Sequence, residues 1–337
     1  MTSGQTTDWL RRSLARWEVF LLFVLIGTFI CGANVSRYFL TASNLSIALA
    51  GMTPTAIIAL PMTLIIVTGE IDISVGSIVG LCASVMAVCL EQKLPVEVAM
   101  VLGVVVGTLA GFINGLIVVY GVLPSLVVTI GTLALYRGIA QIILNERGVS
   151  GFPEWYQSIG FGTIDSTPIP WSSIIFILFF IGFAVFLHAT HWGRALYAIG
   201  NNREAVRFSG ISTNRAILGV FVASGSMSSL AAIILTAYLA SARSDTAIGL
   251  ELPVITAVVL GGVNIFGGAG TMIGVLIALL VLAFVQNALG LAGVTPEEQQ
   301  IVTGAVLIVT LIVFGASEII KRTGTLRRSR RARSLKD

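Results

Sequence analysis

Apolar residues run along this chain in long, nearly unbroken stretches separated by short polar loops. Ten stretches stand out, at roughly 18–36, 44–68, 76–90, 95–119, 123–144, 170–188, 215–240, 252–266, 271–293 and 299–320. A helix needs about 20 mostly apolar residues to cross the hydrocarbon core of a bilayer. Each stretch therefore predicts a membrane-spanning helix. The one at 252–266 is short and runs into a glycine-rich turn. The expected fold is an all-α integral membrane protein with about ten transmembrane helices.

Composition agrees. Of 337 residues, 56% are hydrophobic and only 11% are charged. Soluble domains carry about 25% charged residues, so this chain could not cover its own surface in water. Arg11, Arg12 and Arg16 precede an apolar stretch from about Val19 to Ala33, but no small-residue cleavage site follows. That stretch reads as a retained first span rather than a signal peptide.

Charge bias then orients the spans. Arginine and lysine in short loops mark the cytoplasmic side. The N-terminal segment 1–17 carries three arginines, and the tail 321–337 carries Lys321, Arg322, Arg327, Arg328, Arg330, Arg331, Arg333 and Lys336. Both termini are expected in the cytoplasm, which requires an even number of spans. The loop 189–214, with Arg194, Arg203 and Arg207, falls inside by count and by charge. The segment 145–169, with Glu146, Glu154 and Asp165 against Arg147, falls outside. One membrane domain, 18–320, lies between the two ends. The basic tail reads as a topology signal that can also meet anionic lipid, not as a nucleic-acid arm.

Several chemistries are missing. Lysine occurs only at 93, 321 and 336, and none follows a glycine-rich phosphate loop. The chain therefore lacks a Walker A motif; if it uses ATP, another subunit must bind it. Cys31, Cys82 and Cys89 lie inside apolar runs and read as small buried hydrophobes. His188 and His191 have no third ligand near them and read as interfacial residues. The residues call for no metal and no cofactor.

One pattern repeats. Residues 60–76 (LPMTLIIVTGEIDISVG) echo 252–268 (LPVITAVVLGGVNIFGG) with six of seventeen positions identical, and Asp72 aligns with Asn264. Paired spans interrupted by glycine and proline point to a transport path.

Three segments carry chemistry. In Gly69-Glu70-Ile71-Asp72-Ile73-Ser74-Val75-Gly76, each carboxylate would cost about 2.5–3.5 kcal/mol at the centre of a bilayer helix. They are expected at a span end, in a protein-lined cavity, or bonded to backbone. Asp72 could cap the next helix at a cytoplasmic junction, or the segment could belong to the path. In Gly261–Gly270, five glycines in ten residues, among them Gly261 and Gly268 around Asn264, exclude a stable helix interior, since each costs about 1 kcal/mol. In 200–211, Asn201 or Asn202 can cap a short helix and Gly210 can close it. Such a helix would show Ala205 and Phe208 on one face and Arg203 and Arg207 on another. It would suit docking of a partner, or simply pack as a surface helix.

Glu204-Ala205-Val206, followed after three residues by Gly210, resembles the Glu-Ala-Ala-(three)-Gly loop by which ABC-importer permeases dock on their ATPase. Val206 stands where that loop has its second alanine. With 69–76, Leu123-Pro124-Ser125, Thr129-Ile130-Gly131-Thr132, Arg137-Gly138, 198–202 and the Gly261–Gly270 loop, nearly the whole chain resembles the ribose/galactose-type branch of bacterial ABC sugar permeases. Glu70 departs from that branch, which has glycine there. Residues 59–63 and 241–245 look most like the autoinducer-2 and rhamnose permeases.

The resemblance implies a type II importer fold with two related helix breaks, in the inner membrane. It implies alternating access to a neutral sugar between two permease subunits, identical or paralogous. A periplasmic sugar-binding protein would deliver the sugar, and an ABC ATPase would couple through Asn202, Glu204, Ala205, Arg207 and Gly210. Asn114, Ser125, Thr129 and Thr132 are residues that could line the path. The rival is a secondary transporter driven by an ion gradient, for which carboxylates at mid-membrane would be the signature.

Overall fold

The computed structural model describes residues 17–145, 147–164 and 167–312. The arginines at 11, 12 and 16, Glu146, Asp165 and the basic tail lie outside the described residues. Apart from loops and turns, the described residues are helical, with one two-residue strand pair that sets Val149 opposite Ala242 and Ser150 opposite Ser241.

Every apolar run contains a helix. These are α1 (Trp17–Val35), α2 (Ala42–Val67), α3 (Val75–Glu91), α4 (Val96–Tyr120), α5 (Ser125–Leu144), α7 (Trp171–Ala189), α10 (Thr213–Leu239), α11 (Glu251–Leu260), α12 (Met272–Leu291) and α13 (296–312). Short helices fill the loops: α6 (Glu154–Phe161), α8 (His191–Asn201) and α9 (Arg203–Phe208). Among the described residues, seven helices are long and apolar enough to cross a membrane: α1, α2, α4, α5, α7, α10 and α12. The chain is a multi-pass membrane protein.

The expected span at 252–266 is corrected. Its helix, α11, has ten residues and so extends ~15 Å at 1.5 Å per residue, half of a hydrocarbon core. It stops where Gly262 takes positive φ, and Gly267, Gly268 and Gly270 hold the loop beyond in the same region, a conformation glycine alone adopts freely.

The centre of the bundle is α2 and α10. Almost all of α2 beyond Pro54 is buried, through a second internal proline, Pro61. α10 crosses α4 so closely that a Cβ on Gly111 would strike the Phe221 carbonyl, and Gly225 meets the backbone of Gly107 and Gly111. Small residues at a helix crossing let backbones approach, as lipid-embedded helices require. Outward faces stay apolar: Phe23, Leu178 and Ile142 are exposed, as lipid contact demands.

The bundle has two ends. At one, α6 is pinned by Tyr156, whose buried hydroxyl meets the Ile233 carbonyl (3.0 Å) and Thr236 Oγ1 (2.6 Å) of α10. The strand pair and an Arg147–Glu91 ion pair (3.5 Å) lie at this end. At the other lie α8, α9 and the Gly261–Gly270 loop. Tyr156→Phe removes a buried hydroxyl and should cost about 1–2 kcal/mol. A lowered thermal midpoint of the detergent-purified protein would show it; an unchanged midpoint would contradict the anchoring role.

Candidate functional site

Two loops and two short helices meet at the α8–α9 end. α2 ends at Val67, and Gly69 turns the chain with φ +81°. The Gly268 amide donates to the Val67 carbonyl (2.9 Å), joining the two glycine-containing segments directly. Asp72 Oδ1 accepts from the Ser74 amide (3.0 Å), and Asn264 Oδ1 accepts from the Phe266 amide (3.1 Å). The aligned residues thus make the same turn, in which a side-chain oxygen takes the amide two residues on.

α8 fits into this junction. The Gly200 Cα lies against Val67, Gly267 and Gly268 so closely that a Cβ would overlap their backbone. Tyr197 donates to the Gly270 carbonyl (2.7 Å), and Asn201 Nδ2 lies 3.4 Å from the Gly268 carbonyl. α9 follows immediately. Asn202 caps it by accepting from the Ala205 amide (3.0 Å), and Gly210 closes it with φ +83°.

α9 has one inward residue and an outward remainder. Val206 is its buried residue, while Phe208 is 89% exposed and Glu204, Ala205 and Arg207 face outward. A helix of six residues has room for one buried side chain. Arg203, itself exposed, reaches back: its Nη1 lies 3.2 Å from Glu70 Oε1. Glu70, which departs from the glycine of the resembled branch, therefore ties the first loop to α9.

Beyond Glu70 the chain leaves this end and enters the bundle. Ile71 donates its amide to Ser125 Oγ (3.0 Å), and Thr129 Oγ1 lies 3.4 Å from the Ile71 carbonyl. Asp72 is fully buried. Its Oδ1 accepts from Ser74 Oγ (2.6 Å) as well as the Ser74 amide, and its Oδ2 accepts from Ser224 Oγ on α10 (2.8 Å). Ser74 Oγ in turn accepts from Asn114 Nδ2 of α4 (2.7 Å), and Asn114 Oδ1 accepts from the Tyr136 hydroxyl of α5 (3.1 Å). Ser224 lies eleven residues into α10 and Asn114 six residues from the end of α4. The network is thus ~9–16 Å inside the bundle at 1.5 Å per residue.

This depth corrects the expectation of a capped surface junction at Asp72. Ser74 occupies the N-cap position of α3 without a capping bond, and Asp72 sits two residues before it. Asn114, Ser125 and Thr129 are buried and engaged with the loop, whereas Thr132 bonds within α5. Gly76 and Gly261 are points of close approach: a Cβ on Gly76 would meet Glu251 Oε2 and the Ala247 carbonyl, and one on Gly261 would meet the α12 backbone at Val275.

Glu251 escaped the sequence reading, and His188 does more than sit at an interface. Glu251 Oε2 is buried without a hydrogen-bond partner; a carboxylate at the head of an apolar run was the available signal. His188 accepts from the Met272 amide (3.2 Å) and so caps α12, a pairing across 84 residues that no local pattern shows. Arg243 and Asp245, exposed at the strand-pair end, make a two-pronged ion pair (2.8 and 2.9 Å) that holds the Asp245 carboxyl below its ordinary range.

A family model described as "Branched-chain amino acid transport system / permease component" matches residues 44–311. The chain belongs to this permease family. It is 35% identical over 314 residues to the Autoinducer 2 import system permease protein LsrD of Escherichia coli (strain K12), covering 91% of this chain and 93% of that protein. LsrD of Shigella flexneri matches to the same extent. No solved structure matches. As a member of the permease family, the chain is the membrane subunit of an ABC importer, a transport component rather than an enzyme.

Proposed function

We propose that this permease imports a neutral, sugar-like molecule of the autoinducer-2 or rhamnose type. The LsrD proteins are named for autoinducer 2, and they align with nine-tenths of the chain. In this reading, residues 18–320 form one transmembrane domain with about ten membrane-embedded helices, of which α11 is a half-length one. Both termini, the 189–214 loop and the 321–337 tail face the cytoplasm of an inner-membrane protein. An ABC ATPase docks on α9 through Asn202, Glu204, Ala205, Arg207 and Gly210. A second permease subunit, identical or paralogous, completes the path, and a periplasmic sugar-binding protein feeds it. The segments around Gly69–Gly76 and Gly261–Gly268 are related helix breaks, and their matching turns at Asp72 and Asn264 support that kinship.

The observation that carries the proposal is the Glu70–Arg203 pair. It connects an exposed, capped helix to the loop that enters the bundle at Asp72. A push on α9 by a partner then reaches the membrane interior through bonded groups, as a two-state coupling requires. Glu204→Lys reverses the charge at the exposed first turn of α9. It should reduce ATP-dependent uptake at least tenfold while the subunit stays in the membrane, as measured by uptake normalised to immunoblot. Uptake at the normal rate would sink the docking role.

Asp72 is deep enough for the rival, an ion-driven carrier, but its carboxylate is occupied by three protein donors and has no exposure to solvent. Uptake by this chain alone, in proteoliposomes with a proton gradient, would favour the rival.

A further inference from the structure

A cavity opens between α2, α10, α11, α12 and α13 toward the strand-pair end. It comprises a chamber of about 360 Å³ and an adjoining one of about 210 Å³, which share Pro253 and Gln286 as walls. Tyr238, three residues before the strand pair, and Gly51 face each other in the larger chamber. Gln299 and Thr303 of α13 line the smaller one.

The chemistry of these walls is narrow. The polar groups are a phenol, amides and hydroxyls, and no Asp, Glu, Lys or Arg lines either chamber. Tyr238 has no hydrogen-bond partner for its hydroxyl among the described residues, so that group is free for a ligand. The Gln286 amide is held only by a long bond to Thr303 (3.4 Å). Amides and phenols both donate and accept, which suits hydroxyl groups. The apolar remainder, Leu250, Pro253 and Leu282 among it, suits the C–H face of a small ring. A zwitterionic amino acid would bring two charges into walls that offer none, and burying them unpaired is prohibitive. Pockets for small ligands have this mixture of apolar wall and a few polar groups.

The position also matters. The turn 249–253 forms one wall of both chambers and begins α11. α11 ends at Gly261, and the glycine loop that follows touches Gly200 and Val67 at the opposite end. A ten-residue helix thus links the cavity wall to the junction beside α9.

We propose that this cavity is a binding site for a neutral polyhydroxylated ligand of monosaccharide size, contacted by Tyr238 and Gln286, whose wall α11 moves when α9 is displaced. The assignment rests on the import function above. It is tested in cells whose only autoinducer-2 importer is this permease with its ATPase, partner permease and binding protein. Autoinducer-2 removal from the medium is measured at saturating concentration per membrane-inserted chain. Tyr238→Phe, which deletes one accessible oxygen, should slow uptake several-fold, and Tyr238→Phe with Gln286→Leu about tenfold or more. Gly51→Leu, which fills the chamber opposite Tyr238, should bring it below one-tenth. Normal uptake in Tyr238→Phe and in Gly51→Leu, with the unaltered protein active, overturns the cavity and leaves the import function standing. Import of leucine instead of autoinducer-2 by the unaltered protein overturns the function and the neutral-ligand assignment together.

Discussion

Asp72→Leu should leave little folded permease in the membrane. The substitution adds bulk and removes the acceptor on which three donors converge: the Ser74 amide, Ser74 Oγ and Ser224 Oγ. All three are buried with Asp72. A buried donor left without a partner costs about 1–3 kcal/mol. Ser74 Oγ can rotate to another acceptor, and Ser224 can turn to a carbonyl of its own helix, so the losses do not simply add. A total of about 3 kcal/mol or more is expected, enough to unfold many marginal proteins. Asp72→Asn separates fold from charge. Its Oδ1 can still accept both Ser74 bonds, and its amide can donate to Ser224 Oγ, which accepts as readily as it donates. Asp72→Asn should therefore lose about 1 kcal/mol and reach the membrane at near-normal levels. Monodisperse elution and the thermal midpoint of the detergent-extracted protein measure both variants. If Asp72→Leu matched the unaltered protein, the network would not be what fixes α3 against α4, α5 and α10.

That network also shows where sequence reading stops. Apolar runs located the helices to within a few residues because length and hydrophobicity are set by the bilayer itself. The exception, 252–266, failed for a physical reason. Val263, Ile265 and Phe266 keep the run apolar, but Gly262 before them and Gly267 and Gly268 after them hold positive φ, and the helix ends at Leu260. Hydrophobicity does not register that difference. Within the candidate site, features made by neighbours in sequence were legible: the Asn202 cap, the Gly210 close and the turn at Gly69. Features made across helices were not. Glu70 meets Arg203 across 133 positions and Asp72 meets Ser224 across 152. Their loop also enters the bundle, which a count of apolar residues places at a membrane surface.

Gly200→Ala should uncouple the permease more completely than any change on the exposed face of α9. A Cβ at this position would overlap the carbonyl oxygen of Val67 and the amide nitrogen of Gly268, the two atoms whose backbones are themselves hydrogen-bonded to each other. Both are main-chain atoms, so neither can rotate out of the way as a side-chain tip could. The added methyl must push α8 away from the two loops or part the Val67–Gly268 bond. Overpacking a tight contact typically costs 1–3 kcal/mol and shifts backbone. The effect falls on the place where α8, the loop leading to Asp72 and the glycine loop after α11 touch. Uptake through the assembled transporter should fall by an order of magnitude or more. Because the methyl lies at one end of the bundle and leaves the α4–α10 crossing untouched, the amount of inserted protein should fall much less. Gly219→Ala provides the comparison. Gly219 lies six residues into α10, and no atom comes within 4 Å of its added Cβ. Alanine is the better helix former by about 1 kcal/mol, so this variant should keep most of the uptake. Equal uptake in the Gly200 and Gly219 variants would mean that the contact of α8 with the two loops does not carry the motion from α9 into the membrane.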